Sequence, residues 1–161
     1  MLYRIKIKMS AFLSVFLIVH VISGVVGIFL FGGVVLNALK QKPSFKILKW
    51  FSLLGFLALM VSWTISGGYY YVTYYGKAIK PIIQAGATPW VHSVIMETKE
   101  HIFLFLPFLA FLSMLIIWLN KESLIEKPRL KNMAAIISFL IVFIGIAVSL
   151  AGILISGTAS R

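Results

Sequence analysis

Cysteine is absent from this 161-residue chain. Its absence excludes disulfides, thiolate metal sites, iron–sulfur clusters, CxxC redox chemistry and a covalently attached c-type haem. Charge is also scarce, since 12% of the residues are charged and only four are acidic. The sequence has no phosphate-binding loop, no HExxH and no GxSxG motif. These absences argue against classical hydrolase or nucleotide chemistry.

Apolar residues are what the chain has in abundance: 61% of it is hydrophobic, and the mean hydropathy is +1.03. Four apolar runs, at 11–39, 50–71, 102–119 and 133–156, are each long enough to cross ~30 Å of hydrocarbon. With their flanks they predict helices at about 11–39, 47–75, 90–119 and 132–157. We expect a single all-α domain over residues 1–161, an integral membrane up-and-down four-helix bundle.

The first apolar run is expected to be a mature helix and not a secretory signal. It is about twice as long as a signal h-region, and it lacks a persuasive small-residue cleavage site.

The net charge of +11 comes from 15 Lys and Arg residues at helix ends and in short loops. There they meet lipid headgroups, so no nucleic-acid partner is expected. The loops at 40–49 and 120–131 lie on one side of the bundle and carry eight of these cations, against seven elsewhere. The positive-inside rule therefore favours a multi-pass protein of the cell membrane with both termini extracytoplasmic.

Small residues indicate where the helices pack. Gly145, Ser149, Gly152 and Ser156 form a stripe along the fourth helix. Gly24 and Gly27 share a face of the first helix with His20. Small faces allow close helix approach, or leave room for a flat group between helices.

The three histidines are the candidate ligands. His20 and His101 each lie twenty residues before a lysine of the basic loops, Lys40 and Lys121, so parallel helices would place them at one depth. The same count from Lys49 reaches Tyr69, beside Gly67 and Gly68, and from Lys131 it reaches Ala151, beside Gly152. The sequence therefore predicts one layer that holds two imidazoles and two glycine-lined gaps.

This layer suits haem b with His20 and His101 as axial ligands, and Gly24, Gly68, Tyr69 and Gly152 around the ring. Two alternatives stay open: the histidines serve polar packing or a proton relay, or they hold a metal ion, with His92 as an alternative ligand. Glu97 and Glu100 are the candidate residues that would orient His101 by accepting a hydrogen bond from the ring nitrogen that does not bind iron. With Ser93 they form a polar arc, which is either a solvent-facing patch or a proton or cation entry.

Three short segments resemble a diffuse group of small four-helix bacterial membrane proteins, the CopD-like copper-resistance proteins and the HemJ-like haem-binding proteins. The segments are His20-Val21-Ile22-Ser23-Gly24, Ser66-Gly67-Gly68-Tyr69, and Trp90 with Lys99. The resemblance implies that the histidine of the first helix binds haem.

Two functions follow as hypotheses. The first is a membrane cytochrome b-like subunit of an oxidoreductase, which exchanges electrons with quinone or a redox partner protein; the chain could also assemble as a homo-oligomer. The second is a non-enzymatic accessory or transport subunit, in which the histidines serve packing or proton movement.

Overall fold

The computed structural model describes residues 11–121 and 123–159. The side chains of Ile65 and Ser66, the latter part of the family resemblance, lie outside the described set. So do the cations of the two chain ends, Arg4, Lys6, Lys8 and Arg161.

All the described elements are helical, as the apolar runs predict. They are α1 (Ala11–Ala38), α2 (Phe45–Met60), the π-helices Val61–Gly68 and Tyr71–Ile79, α3 (Lys80–Ala85), the π-helix Val91–Met96, α4 (Glu97–Phe103), α5 (Phe105–Asn120), α6 (Ser123–Glu126) and α7 (Pro128–Ala159). Four ranges are long and apolar enough to cross a membrane, and we call them the first to fourth spanning helices: Ala11–Ala38, Phe45–Thr64, Val91–Asn120 and Pro128–Ala159. The predicted fold class, an all-α bundle, is confirmed.

The helices pack in ring order, so that each has two neighbours. The first packs on the second and the fourth, and the third also packs on the second and the fourth. We call the end with the loop at 39–44 and the short helix α6 the basic end, and the end with the loop at 86–89 the far end.

The main core fills the bundle between the basic end and the middle of the helices, around Phe31, Leu48, Ile117 and Ile141. Glycines permit the close approach on which this core depends. A Cβ at Gly27 would lie 2.7 Å from Leu59 Cγ, and one at Gly145 would lie 2.6 Å from Ile28 Cγ1. The small residues of the first and fourth helices therefore act as packing surfaces.

The second helix is longer than its apolar run predicts. Helical backbone continues past the predicted end at 75 to Ala85, through two π-helical segments. Beyond the main core this extension builds a second, smaller core with the start of the third helix and the end of the fourth, around Tyr75, Ile83, Val91, Met96 and Ile155.

Candidate functional site

The candidate site lies between the two cores, where the backbone departs from regular α-helix. All three described π-helical segments are found here, two in the second helix and one at the start of the third. π-Helix is rare, and it occurs frequently at functional sites because the wider turn re-aims side chains. The site is thus the part of the fold with the least regular backbone.

His20 is held against the second helix by Ser62. Its Nδ1–H points at the Ser62 carbonyl oxygen at 2.9 Å and at the Ser62 hydroxyl at 2.9 Å, and that hydroxyl donates to the His20 carbonyl at 3.0 Å. Gly67 makes room for the ring, because a Cβ there would lie 2.8 Å from His20 Nδ1. The imidazole is therefore fixed in orientation, and Nε2 is the nitrogen left outside these bonds.

Lys99 reaches into the bundle at the same depth. Its Nζ lies 3.4 Å from the position that a Cβ on Gly152 would occupy, and its charge acts on His20. Within the described part of the chain, no hydrogen bond or ion pair engages this ammonium group. A charged group at the end of an apolar bundle that feels the charge of Glu100 but makes no direct bond within the described residues demands an explanation.

Glu100 follows Lys99 and faces the tyrosines of the second helix's extension. Its Oε1 is enclosed without a hydrogen-bond partner in the described residues. Burial raises the pKa of the Tyr71 hydroxyl to about 12, and the Glu100 carboxylate beside it adds to the increase. Burial, with the charge of Glu100, also raises the pKa of Tyr75. Both phenols therefore stay protonated at neutral pH beside a carboxylate.

His92 is the most deeply buried histidine, at 1% exposed. Its Nδ1 lies 3.1 Å from the Tyr75 hydroxyl, and its Nε2 is enclosed without a partner in the described residues. The Tyr75 ring stacks on Tyr71 at 5.3 Å. These side chains form one series of polar groups, which we call the polar cluster: His92, Tyr75, Tyr71, Glu100, Lys99, Ser62 and His20.

The other predicted site residues lie outside this cluster. His101 is exposed, and its Nδ1–H donates to the Glu97 carbonyl at 2.6 Å. Glu97 is exposed as well. Residues 99 and 101 point about 200° apart on a helix, so Lys99 faces inward where the sequence predicted His101. The structure therefore brings His20 to the level of Lys99 and Gly152 and does not bring His101 to it.

The remaining predicted positions divide between the cluster and its surroundings. Gly24 borders the cluster, since a Cβ there would lie 3.1 Å from the Ser62 hydroxyl. Gly68 faces its own helix, since a Cβ there would lie 3.2 Å from the Trp63 carbonyl oxygen. Tyr69 is exposed and packs its ring on Phe16, with centroids 4.8 Å apart.

Sequence reasoning missed the inward direction of Lys99 and the depth of His92, although a signal for both existed. Counting back from the buried Leu106 in steps of three and four reaches Phe103, Lys99, Met96 and His92. This spacing follows one face of a helix. The charge of Lys99 interrupts the apolar stripe, so the sequence does not show that the same helix face continues to Met96 and His92.

Among residues 11–121 and 123–159, no group of three or more histidine or acidic side chains is placed to hold a metal ion. No protein-family model, curated protein or solved structure matches the chain.

Proposed function

We propose that this chain is a multi-pass membrane transport or accessory subunit in which the polar cluster moves protons. The observation that carries the proposal is that His92 Nε2 and Glu100 Oε1 are both enclosed without a hydrogen-bond partner in the described residues, and that both side chains neighbour Tyr75. Buried polar atoms that lack partners are rare and call for an explanation such as a catalytic or proton-transfer role. If the two side chains were buried for packing alone, we would expect both atoms to have hydrogen-bond partners.

The cluster offers a sequence of groups that accept and release protons. His92 shares one hydrogen bond with Tyr75, whose ring stacks on Tyr71 next to Glu100. Lys99 and His20 continue the series toward the main core. In the proposed relay, ordered waters bridge the steps that are longer than one hydrogen bond.

Proton flux in liposomes tests this role. Purified protein is reconstituted in vesicles that contain a pH-sensitive dye, and a potassium gradient with valinomycin drives protons inward. Glu100→Gln removes the enclosed carboxylate and is expected to reduce the protein-dependent flux about tenfold or more. The matched control is Glu97→Gln, which changes an exposed carboxylate one turn earlier. Equal flux in both variants would remove the support for the relay.

We further propose that the protein lies in the cell membrane with both termini extracytoplasmic, which would place the polar cluster near the extracytoplasmic face. The supporting observation is the cation count: the basic end carries eight Lys and Arg residues, against seven elsewhere. Because the chain has no cysteine, single cysteines at Lys42 and Ala87 report the two sides without background. A membrane-impermeant maleimide applied to intact cells should label position 87 and spare position 42. The reverse pattern would invert the orientation.

Haem b is the second candidate function, in the electron-transfer role predicted from the sequence. One observation favours it: His20 and His101 each direct Nδ1–H to a backbone carbonyl, as metal-binding histidines do, which leaves Nε2 for an axial bond. Since His101 faces outward, haem bound by both histidines would require the third helix to turn about its axis. Protein purified from haem-replete cells should then show a Soret band that His20→Ala and His101→Ala each remove. A colourless folded preparation would exclude this role.

A further inference from the structure

An apolar groove of about 420 Å³ runs along the seam between the first and fourth spanning helices. Its walls extend from Val25 to Gly32 on the first helix and from Val142 to Leu150 on the fourth. At 1.5 Å per residue each wall is about 12 Å long. Ser149 is the one polar lining residue, and its hydroxyl already donates to the Gly145 carbonyl at 2.8 Å. The groove therefore fits a hydrocarbon chain and offers it no competing polar contact.

One end of the groove approaches Lys99. Gly152 lies three residues beyond Ser149, about one helical turn further toward the far end. Lys99 Nζ is 3.4 Å from the Cβ position of that glycine. The groove thus leads from the middle of the fourth helix to within a helical turn of an ammonium group.

The charge of Lys99 is not neutralised by the helices that border the groove. The ranges 11–38 and 128–159 contain no acidic residue. The charge of the adjacent Glu100 acts on Lys99, but its carboxylate faces Tyr71 and forms no direct ion pair with the ammonium group within the described residues. A cation near hydrocarbon that forms no direct ion pair within the described residues favours the binding of an anionic group.

We propose that one anionic phospholipid binds here, with its phosphate at Lys99 and an acyl chain in the groove. The depth supports a phospholipid: Lys99 lies 22 residues before Lys121, which is about 33 Å, close to the full thickness of the hydrocarbon. Lipid phosphates lie at the boundary between hydrocarbon and water. The groove runs from that boundary toward the bilayer centre, as the acyl chain of a phospholipid does. The proposal does not depend on the proton relay.

Lipid selectivity in reconstituted membranes tests the site. The protein is placed in phosphatidylcholine vesicles that contain trace spin-labelled phosphatidylglycerol or spin-labelled phosphatidylcholine, and the motionally restricted fraction is measured by electron paramagnetic resonance. We expect the anionic lipid to be selected about fivefold, the factor that corresponds to about 1 kcal/mol for one lysine. Lys99→Met, which removes the charge and keeps an unbranched side chain one atom shorter, should abolish the selection, whereas Lys77→Met, at an exposed far-end lysine, should preserve it.

A second pair of variants tests the groove and does not alter charge. Gly32→Leu should fill the groove without a clash, because a Cβ at Gly32 meets nothing within 4 Å, and it should reduce the restricted anionic lipid. Ala147→Leu places the same leucine side chain at an exposed position that does not line the groove and should have no effect.

Three results would overturn the proposal. One is undiminished selectivity in Lys99→Met and Gly32→Leu. Another is stronger selection of spin-labelled stearate than of phosphatidylglycerol, which would assign the site to a fatty-acid carboxylate. The third is a dimer that Gly32→Leu dissociates, which would assign the groove to a second copy of the chain.

Discussion

Replacing Tyr75 by Phe isolates the hydrogen bond on which the buried histidine depends. The change removes one hydroxyl, 3.1 Å from His92 Nδ1, and keeps the ring that stacks on Tyr71. His92 Nε2 already lacks a partner in the described residues, so the variant leaves both ring nitrogens unsatisfied in a side chain that is 1% exposed. Leaving such a group unpaired costs about 1–3 kcal/mol.

Equilibrium unfolding in mixed micelles with increasing dodecyl sulfate, followed by tryptophan fluorescence, measures this loss. The matched control is Tyr69→Phe, an exposed tyrosine of the same helix, for which a change within about 0.5 kcal/mol is expected. The double variant Tyr75→Phe/His92→Leu replaces both polar partners and should recover much of the loss. A Tyr75→Phe protein as stable as the control would refute the reasoning that this bond satisfies a buried histidine.

Two further predictions concern helix packing and high pH. Gly33→Ala places a Cβ against the Phe51 ring and should destabilise the protein by about 1–3 kcal/mol, whereas Gly32→Ala meets nothing within 4 Å and should stabilise it by up to about 1 kcal/mol; the same unfolding assay compares them. Because the pKa of Tyr71 rises from 10.0 to about 12 on folding, the stability linked to neutral Tyr71 is complete below pH 10 and is lost as the pH rises toward 12. Ultraviolet titration of phenolate, with Tyr71→Phe as the reference, should show this pKa fall in Glu100→Gln, and an unchanged value would contradict the assigned contact.

Hydropathy was sufficient to predict the fold class. Long apolar runs with few charges enter hydrocarbon, and there an α-helix pairs every backbone N–H and C=O group within the run. It did not predict the extension of the second helix to Ala85. That extension carries tyrosines and lysines in place of an apolar run, and it is helical because Tyr75 and Ile83 pack on the third and fourth helices. Such tertiary packing leaves no hydropathy signal.

Depth in the bundle could be predicted from the sequence, whereas direction around a helix could not. Counting from the basic loops placed His20, Gly68, His101 and Gly152 at one level, and the structure brings His20, Lys99 and Gly152 to it. The count carries no information about rotation, so it gave His101 the inward position that Lys99 occupies. The π-helical turns at 61–68 and 91–96 shift the helical phase further.

Proton flux through His92→Gln and His101→Gln, compared in the same liposome preparation, tests the central claim most directly. Both variants remove one imidazole and keep a polar side chain, but His92 is enclosed in the polar cluster and His101 is exposed. The account predicts that His92→Gln loses most of the protein-dependent flux and that His101→Gln retains it. Equal flux in the two variants, or loss in His101→Gln alone, would contradict it.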